Sequence, residues 1–181
     1  IATAPRAQMD SYLQQGKKVV LTSPVYTPEE ILHSMGFVPM GAWGADVELN
    51  RSKEYFPAFL CSIVQSMLEL GINGAYKGAS AIVIPSLCDT LKTLGENWKY
   101  AVKDIPFIPM TYPQHRKPAY GIAYTKAGYE RVIHDLEKLG GKFDAAALAE
   151  SNRIYNRHNQ VMRRAEEVLA NHPEITAAQR S

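Results

Sequence analysis

The feature that most constrains this chain is the run SAIVIP at residues 80–85. After Ser80 it holds no polar side chain, the pattern of a strand covered on both faces, as in parallel sheets with helices packed above and below. The rest of the chain supplies matching elements. KKVVLTS at 17–23 is a short β-rich run, followed by the capping box TPEE at 27–30, with proline at the first helical position. That helix is expected to run to about Met35 and end at Gly36, and residues 37–43 read as a second strand. Pro57 then starts a helix through Leu70, with Leu60, Ile63, Val64, Met67 and Leu68 at helical spacing and Gly71 at the expected stop. Asn73-Gly74 is a turn. After SAIVIP, SLCD at 86–89 is another capping box, opening a helix to about Val102, and 105–111 is a further strand. The order β-α-β-α-β-α-β predicts an α/β fold: a parallel, doubly wound sheet with helices on both faces.

Two long C-terminal helices follow, at 122–139 and 144–171, broken at Gly140-Gly141. In the second, apolar pairs return every seven residues: Ala147/Leu148, Ile154/Tyr155, Val161/Met162 and Val168/Leu169. Such a stripe packs against another helix or subunit, or is simply a face turned to its own core. Residues 1–120 thus read as an N-terminal α/β domain and 121–181 as a helical extension. A third capping box at 176–179 announces a helix at the end of the sequence, and the chain opens on Ile1 rather than Met. Both lead to the expectation of a piece of a longer polypeptide.

Composition excludes several classes. The chain has 181 residues, 46% apolar and 21% charged, as expected of a globular protein. Twenty basic residues against 18 acidic ones give a net charge of only +2, without a basic cluster, so nucleic acid is not an expected partner. No apolar run approaches the roughly 20 residues of a membrane span, and residues 1–7 lack the apolar centre of a secretory signal. Two cysteines do not make a disulfide scaffold, so a reducing, cytoplasmic setting is expected. The five histidines (His33, His115, His134, His158, His172) form no i, i+4 pair. There is no phosphate-binding glycine loop, so an ATP-dependent step would belong to another protein.

Cys88 follows the SAIVIP strand and opens the next helix, where open α/β sheets bind ligands beyond their strand ends. Free N–H groups and partial positive charge at a helix start favour negative charge, including that of a thiolate-ligated cluster. Cys61 is placed in the first turn of the 57–70 helix. The alternative is that each cysteine is a small buried hydrophobe. Their spacing lacks any C-x-x-C pairing, and two thiolates fall short of four ligands.

The surrounding motifs are more specific. Tyr26-Thr27-Pro28-Glu29-Glu30, then GFVPMGAWG at 36–44, RSKEY at 51–55, Cys61-Ser62-Ile63, PSLCDTL at 85–91, Asn97-Trp98-Lys99 and the stretch 106–113 occur in one order. Together they resemble the 2-hydroxyacyl-CoA dehydratase family, most of all the beta subunits of its (R)-2-hydroxyglutaryl-CoA branch. The resemblance covers the whole chain but only the N-terminal half of a family subunit. It implies that Cys61 and Cys88 are two ligands of a [4Fe–4S] cluster, making residues 1–120 the cluster-binding part. The third cysteine would lie outside this chain, in a second α/β domain after the long helices. Phe56 stands where a close relative within the family carries a cysteine and is read as packing.

The resemblance also implies a reaction: loss of water from (R)-2-hydroxyacyl-CoA to give 2-enoyl-CoA. One electron, delivered by an ATP-dependent iron–sulfur activator protein, makes the substrate a ketyl radical and is then recycled. A homologous alpha subunit would bind the substrate, and a beta-like chain would relay the electron. Within the same superfamily, a benzoyl-CoA reductase-type subunit is the alternative, against which Gly41–Trp43 and residues 51–55 weigh. A third reading, from another class, is a cluster-free helical interaction domain that uses the heptad stripe. Glu54 and Tyr55 are the weak catalytic candidates, in a polar cluster with Arg51 and Lys53 that is equally a solvated loop. Asp89 reads as a cluster-tuning group or as the N3 partner of a cap. Trp43 lines a pocket or, more simply, packs in the core.

Overall fold

The computed structural model describes residues 4–23 and 26–176; the helix announced by residues 176–179 lies outside the described residues. Four parallel strands form one sheet: β1 (Val19–Thr22), β2 (Val38–Gly41), β3 (Ala81–Pro85) and β4 (Phe107–Met110), in the order β2-β1-β3-β4. In register, Leu21 lies beside Met40 on one side and Ile82 on the other, and Val83 beside Ile108. The continuous apolar runs follow from this: every residue of β1 and β3 is buried, with helices above and below.

One layer consists of α1 (Pro5–Gln14), α3 (Ser62–Ile72) and α4 (Asp89–Ala101). It packs Met9, Met67, Leu68, Leu94 and Trp98 onto Val19, Leu21, Ile82 and Ile84. The other consists of α2 (Glu29–Ser34), α5 (Ala119–Lys138) and α6 (Ala145–Ala170). Here Leu32, Val132 and Leu136 pack onto Val20, Val83 and Met110, with Leu148 of α6 against them. The architecture is the doubly wound α/β class the alternation predicts. Phe56 is buried in the first layer, as packing requires.

Several local expectations are corrected. No capping box forms at 27–30: the N-cap of α2 is Pro28, whose side chain offers no acceptor, and the Thr27 hydroxyl donates to Ser23 O at 3.0 Å. At 86–89 the N-cap is Cys88, while the Ser86 hydroxyl accepts from Tyr112 N at 3.3 Å. Asp89 is therefore the first helical residue, paired on the surface with Lys92 at 3.0 Å, not an N3 cap partner. Residues 57–60 make one turn, closed by Leu60 N to Pro57 O at 3.1 Å, and α3 starts only at Ser62. Gly71 does not stop α3 but lies inside it, because a Cβ there would come within 2.8 Å of the Trp98 ring. The left-handed turn falls at Gly74 (φ 79°) instead. Helix α1 escapes a reading by apolar spacing because Met9 is its one buried residue.

The long helix α6 behaves in two ways. Its first half is seated on α2, where buried Ser151 donates to Glu30 O at 2.8 Å and meets His33 Nδ1 at 2.9 Å. Leu148 and Tyr155 of the heptad stripe pack on this chain, but Ile154, Val161, Met162 and Val168 are exposed, so the later part of the stripe is not a face of its own core.

Candidate functional site

The two cysteines are the N-caps of α3 and α4. Both have extended backbones, φ −61° and ψ 138° at Cys61, φ −142° and ψ 168° at Cys88, and neither side chain bonds to its helix. Both are free and exposed, which overturns the alternative of small buried hydrophobes. Each helix joins two parallel strands, so each runs back against the strand direction and starts at the carboxyl edge of the sheet. Since α3 and α4 share a layer and pack on each other through Gly71 and Trp98, both thiols stand at one edge and over one face.

Cys88 also borders the place where the strand order reverses. The chain leaves β1 toward α2 on one face and leaves β3 toward α4 on the other, and such a switch point is where open α/β sheets accept ligands. Leu87, Phe59 and Ile63, neighbours of the cysteines in sequence, are exposed apolar side chains. Beside Cys61, residues Ser62 and Ile63 line an open cavity of about 370 Å³ together with Gly44–Val47.

Trp43 belongs to this exposed edge rather than the core. Ala42, fully buried, takes the inward position as β2 ends, and strand alternation turns Trp43 outward at 58% exposure. Its ring lies over Gly41, where a Cβ would come within 2.5 Å of the indole nitrogen. Its carbonyl accepts from the Tyr76 hydroxyl at 3.1 Å.

Glu54 and Tyr55 are not brought to the cysteines. They end the 3-10 turn Arg51–Glu54 and its cap, and Tyr55 O accepts from Asn97 Nδ2 at 2.7 Å, in the second half of α4. Tyr55 lines a cavity with Tyr100 and the residues after α4, away from the helix starts.

The same turn is held by a residue that sequence reading passed over. Glu69, 2% exposed, accepts from Asn50 N (3.1 Å) and Ser52 N (2.8 Å) on one oxygen. Its other oxygen accepts from Arg51 N (3.3 Å) and Asn73 Nδ2 (3.2 Å). Burial pushes this carboxyl up, but hydrogen bonding from Ser52, Asn50 and Arg51 outweighs it and holds the pKa below the ordinary carboxylate value. Its signal was a lone carboxylate between Leu68 and Leu70.

As donors, the two thiols suit a thiolate-bound iron–sulfur centre in kind, but only as one side of it. Among the described residues no three His, Cys, Asp or Glu side chains gather as a metal site. A sequence profile described as 2-hydroxyglutaryl-CoA dehydratase, D-component, matches residues 24–181. The chain belongs to this D-component family. It is 39% identical over 177 residues to the (R)-phenyllactyl-CoA dehydratase beta subunit of Clostridium sporogenes, covering 97% of this chain and 47% of that protein. It is 35% identical over 181 residues to the beta subunit of the (R)-2-hydroxyglutaryl-CoA dehydratase of Acidaminococcus fermentans, covering 98% and 48%. One of the benzoyl-CoA reductase subunits of Thauera aromatica is 28% identical over 149 residues, covering 81% and 39%. The chain thus spans about half the length of the dehydratase subunits it matches. No helix among the described residues of this D-component chain is long and apolar enough to cross a membrane.

Proposed function

We propose that this chain is the cluster-holding part of a beta-type subunit of a 2-hydroxyacyl-CoA dehydratase. In this reading Cys61 and Cys88 are two ligands of a [4Fe–4S] cluster, and the third cysteine lies outside the chain. The subunit pairs with a homologous alpha subunit, receives its electron from an ATP-dependent iron–sulfur activator protein, and works in the cytoplasm. The complete enzyme removes water from (R)-2-hydroxyacyl-CoA to give 2-enoyl-CoA. The observation that carries the reading is the pair of free, exposed N-cap thiols at one edge of the sheet. When bound, the cluster supplies one-electron transfer.

The chain's own residues account for holding such a group. Cys61 and Cys88 offer thiolate sulfur from two rigid helix starts, and the unpaired N–H groups of those first turns face the negative charge of a thiolate-bound centre. Leu87, Phe59 and Ile63 supply an apolar surround that keeps water off once the edge is covered. The higher identity to dehydratase beta subunits than to the reductase protein supports dehydration over ring reduction.

The test is anaerobic reconstitution of the full-length protein with iron and sulfide. Thiolate-to-iron absorption and bound iron are expected, and Cys61→Ser and Cys88→Ser should each lower iron content and abolish dehydration while the circular dichroism spectrum stays that of the parent. Iron and activity unchanged in both variants would exclude these residues as ligands. A full-length protein that takes up no iron would favour a cluster-free interaction domain.

A further inference from the structure

On the face opposite the cysteine-capped helices, an open cavity of about 320 Å³ lies between the end of β1, the start of α2 and α6. Ser23 and Thr27 line it from the loop, Glu29 and Glu30 from α2, and Tyr155 and Asn159 from α6. Each of these side chains carries oxygen, and among the described lining residues there is no lysine, arginine, histidine or cysteine. Ser23 is 2% exposed, and its hydroxyl has no hydrogen-bond partner among the described residues. The hydroxyls around it are committed: Thr22 Oγ1 donates to Glu29 Oε1 at 3.1 Å and Thr27 Oγ1 to Ser23 O at 3.0 Å. A buried hydroxyl left without a partner is uncommon in a folded protein and marks a place where something else supplies the bond.

The charge of the cavity says what that is. Among the described residues neither Glu29 nor Glu30 is in a salt bridge. Burial, and then the negative charge of these two carboxylates, pushes the Tyr155 hydroxyl up to about 12. Two uncompensated carboxylates beside an unused hydroxyl match a positive ligand that takes oxygen donors. No third acidic, histidine or cysteine side chain joins them among the described residues, so the wall does not form the carboxylate-rich cage that calcium favours, and it offers no sulfur or imidazole for a softer metal. Magnesium differs: one or two carboxylates hold it while water keeps its other positions, and a cavity of this volume has room for that water.

We propose that this cavity binds a hydrated magnesium ion, with Glu29 and Glu30 as its carboxylates and the Ser23 hydroxyl bonded to the ion or to its water. The ion ties the loop after β1 and the start of α2 to α6, adding to the seat that Ser151 makes on Glu30 O. Neither cysteine lines the cavity, so the proposal does not depend on the cluster reading.

Thermal denaturation and calorimetric titration of the full-length protein with MgCl2, against NaCl at equal ionic strength, test it. Magnesium should raise the melting temperature and saturate at one site. Glu30→Gln and Ser23→Ala should each weaken binding about tenfold or more, with the circular dichroism spectrum of the parent retained. A double variant, Cys61→Ser with Cys88→Ser, should bind magnesium as the parent does, so a failed cluster test leaves this result standing. The proposal is overturned if MgCl2 does no more than matched NaCl, if methylammonium chloride gives the same shift as MgCl2, or if both Glu30→Gln and Ser23→Ala leave affinity unchanged.

Discussion

Replacing Glu69 tests whether one buried carboxylate sets the path of the chain before α3. Its two oxygens take four donors, three of them main-chain N–H groups of Asn50, Arg51 and Ser52. In Glu69→Ala all four bonds are lost, but the cost is uneven. Asn50 and Arg51 are exposed residues whose N–H groups can turn to water, whereas Ser52 is fully buried and its N–H is left without an acceptor. Stranding that one buried donor costs about 1–3 kcal/mol, and losing the charge-assisted bonds to the other three, all on exposed residues, adds about 1 kcal/mol, for a total of about 2–4 kcal/mol. For a chain of this size that lowers the melting temperature by roughly 5–15 °C. Glu69→Gln keeps one acceptor oxygen and should lose about half as much.

The pH dependence has a fixed sign. A carboxyl whose folded pKa is lowered contributes stability that is fully present above its unfolded value of about 4.3 and fades as pH falls toward the folded value. The deficit of Glu69→Ala should therefore be full at neutral pH and shrink in acid. Differential scanning calorimetry between neutral pH and about pH 3 reads both effects. Equal melting temperatures at neutral pH, or a deficit that persists undiminished in acid, would refute the reasoning.

Both cysteines should react with a thiol reagent in the folded, metal-free protein, since each is exposed and neither is in a disulfide; two equivalents should be consumed without denaturant, and titration of fewer before unfolding would contradict the placement. Gly71→Ala should destabilise although it improves helix propensity by about 1 kcal/mol. Its Cβ would press within 2.8 Å of Trp98, a fully buried ring pinned by its N–H bond to Ile105 O at 3.0 Å. Overpacking of that kind costs about 1–3 kcal/mol, so the urea midpoint should fall, and a raised midpoint would show that the ring gives way.

The sheet was legible because its signal is local. SAIVIP is apolar without alternation, the pattern of a strand buried on both faces, and KKVVLTS is a short β-rich run whose strand is buried throughout. Helix boundaries were less legible where a side chain had a competing partner. Thr27 and Ser86 look like caps in sequence, yet Thr27 bonds back to Ser23 and Ser86 takes the N–H of Tyr112, a residue 26 positions away. Gly71 reads as a helix stop until Trp98 is seen against it. At the site, the positions of Cys61 and Cys88 at helix starts followed from strand–helix order. Their exposure did not, because burial of a cysteine depends on tertiary neighbours. Glu69 showed in the sequence only as a lone carboxylate between two leucines, because its four hydrogen bonds depend on how other chain segments are placed.

The strand order explains why two chemically different openings lie at one edge. With β1 and β3 adjacent and their following helices on opposite faces, the loops after these strands form the two lips of a single crevice. Ser23 belongs to one lip and Cys88 to the other. The lips are tied through the sheet itself, since Ser23 N donates to Val83 O at 3.0 Å. An apolar edge carrying thiols faces one layer, while a cleft walled by Tyr112, Tyr129, Arg116 and Glu30 faces the other. The fold can therefore keep two exposed thiols and a polar cleft at one edge without either intruding on the other's surroundings. A doubly wound sheet supplies both at one switch point because its crossovers send consecutive helices to different faces.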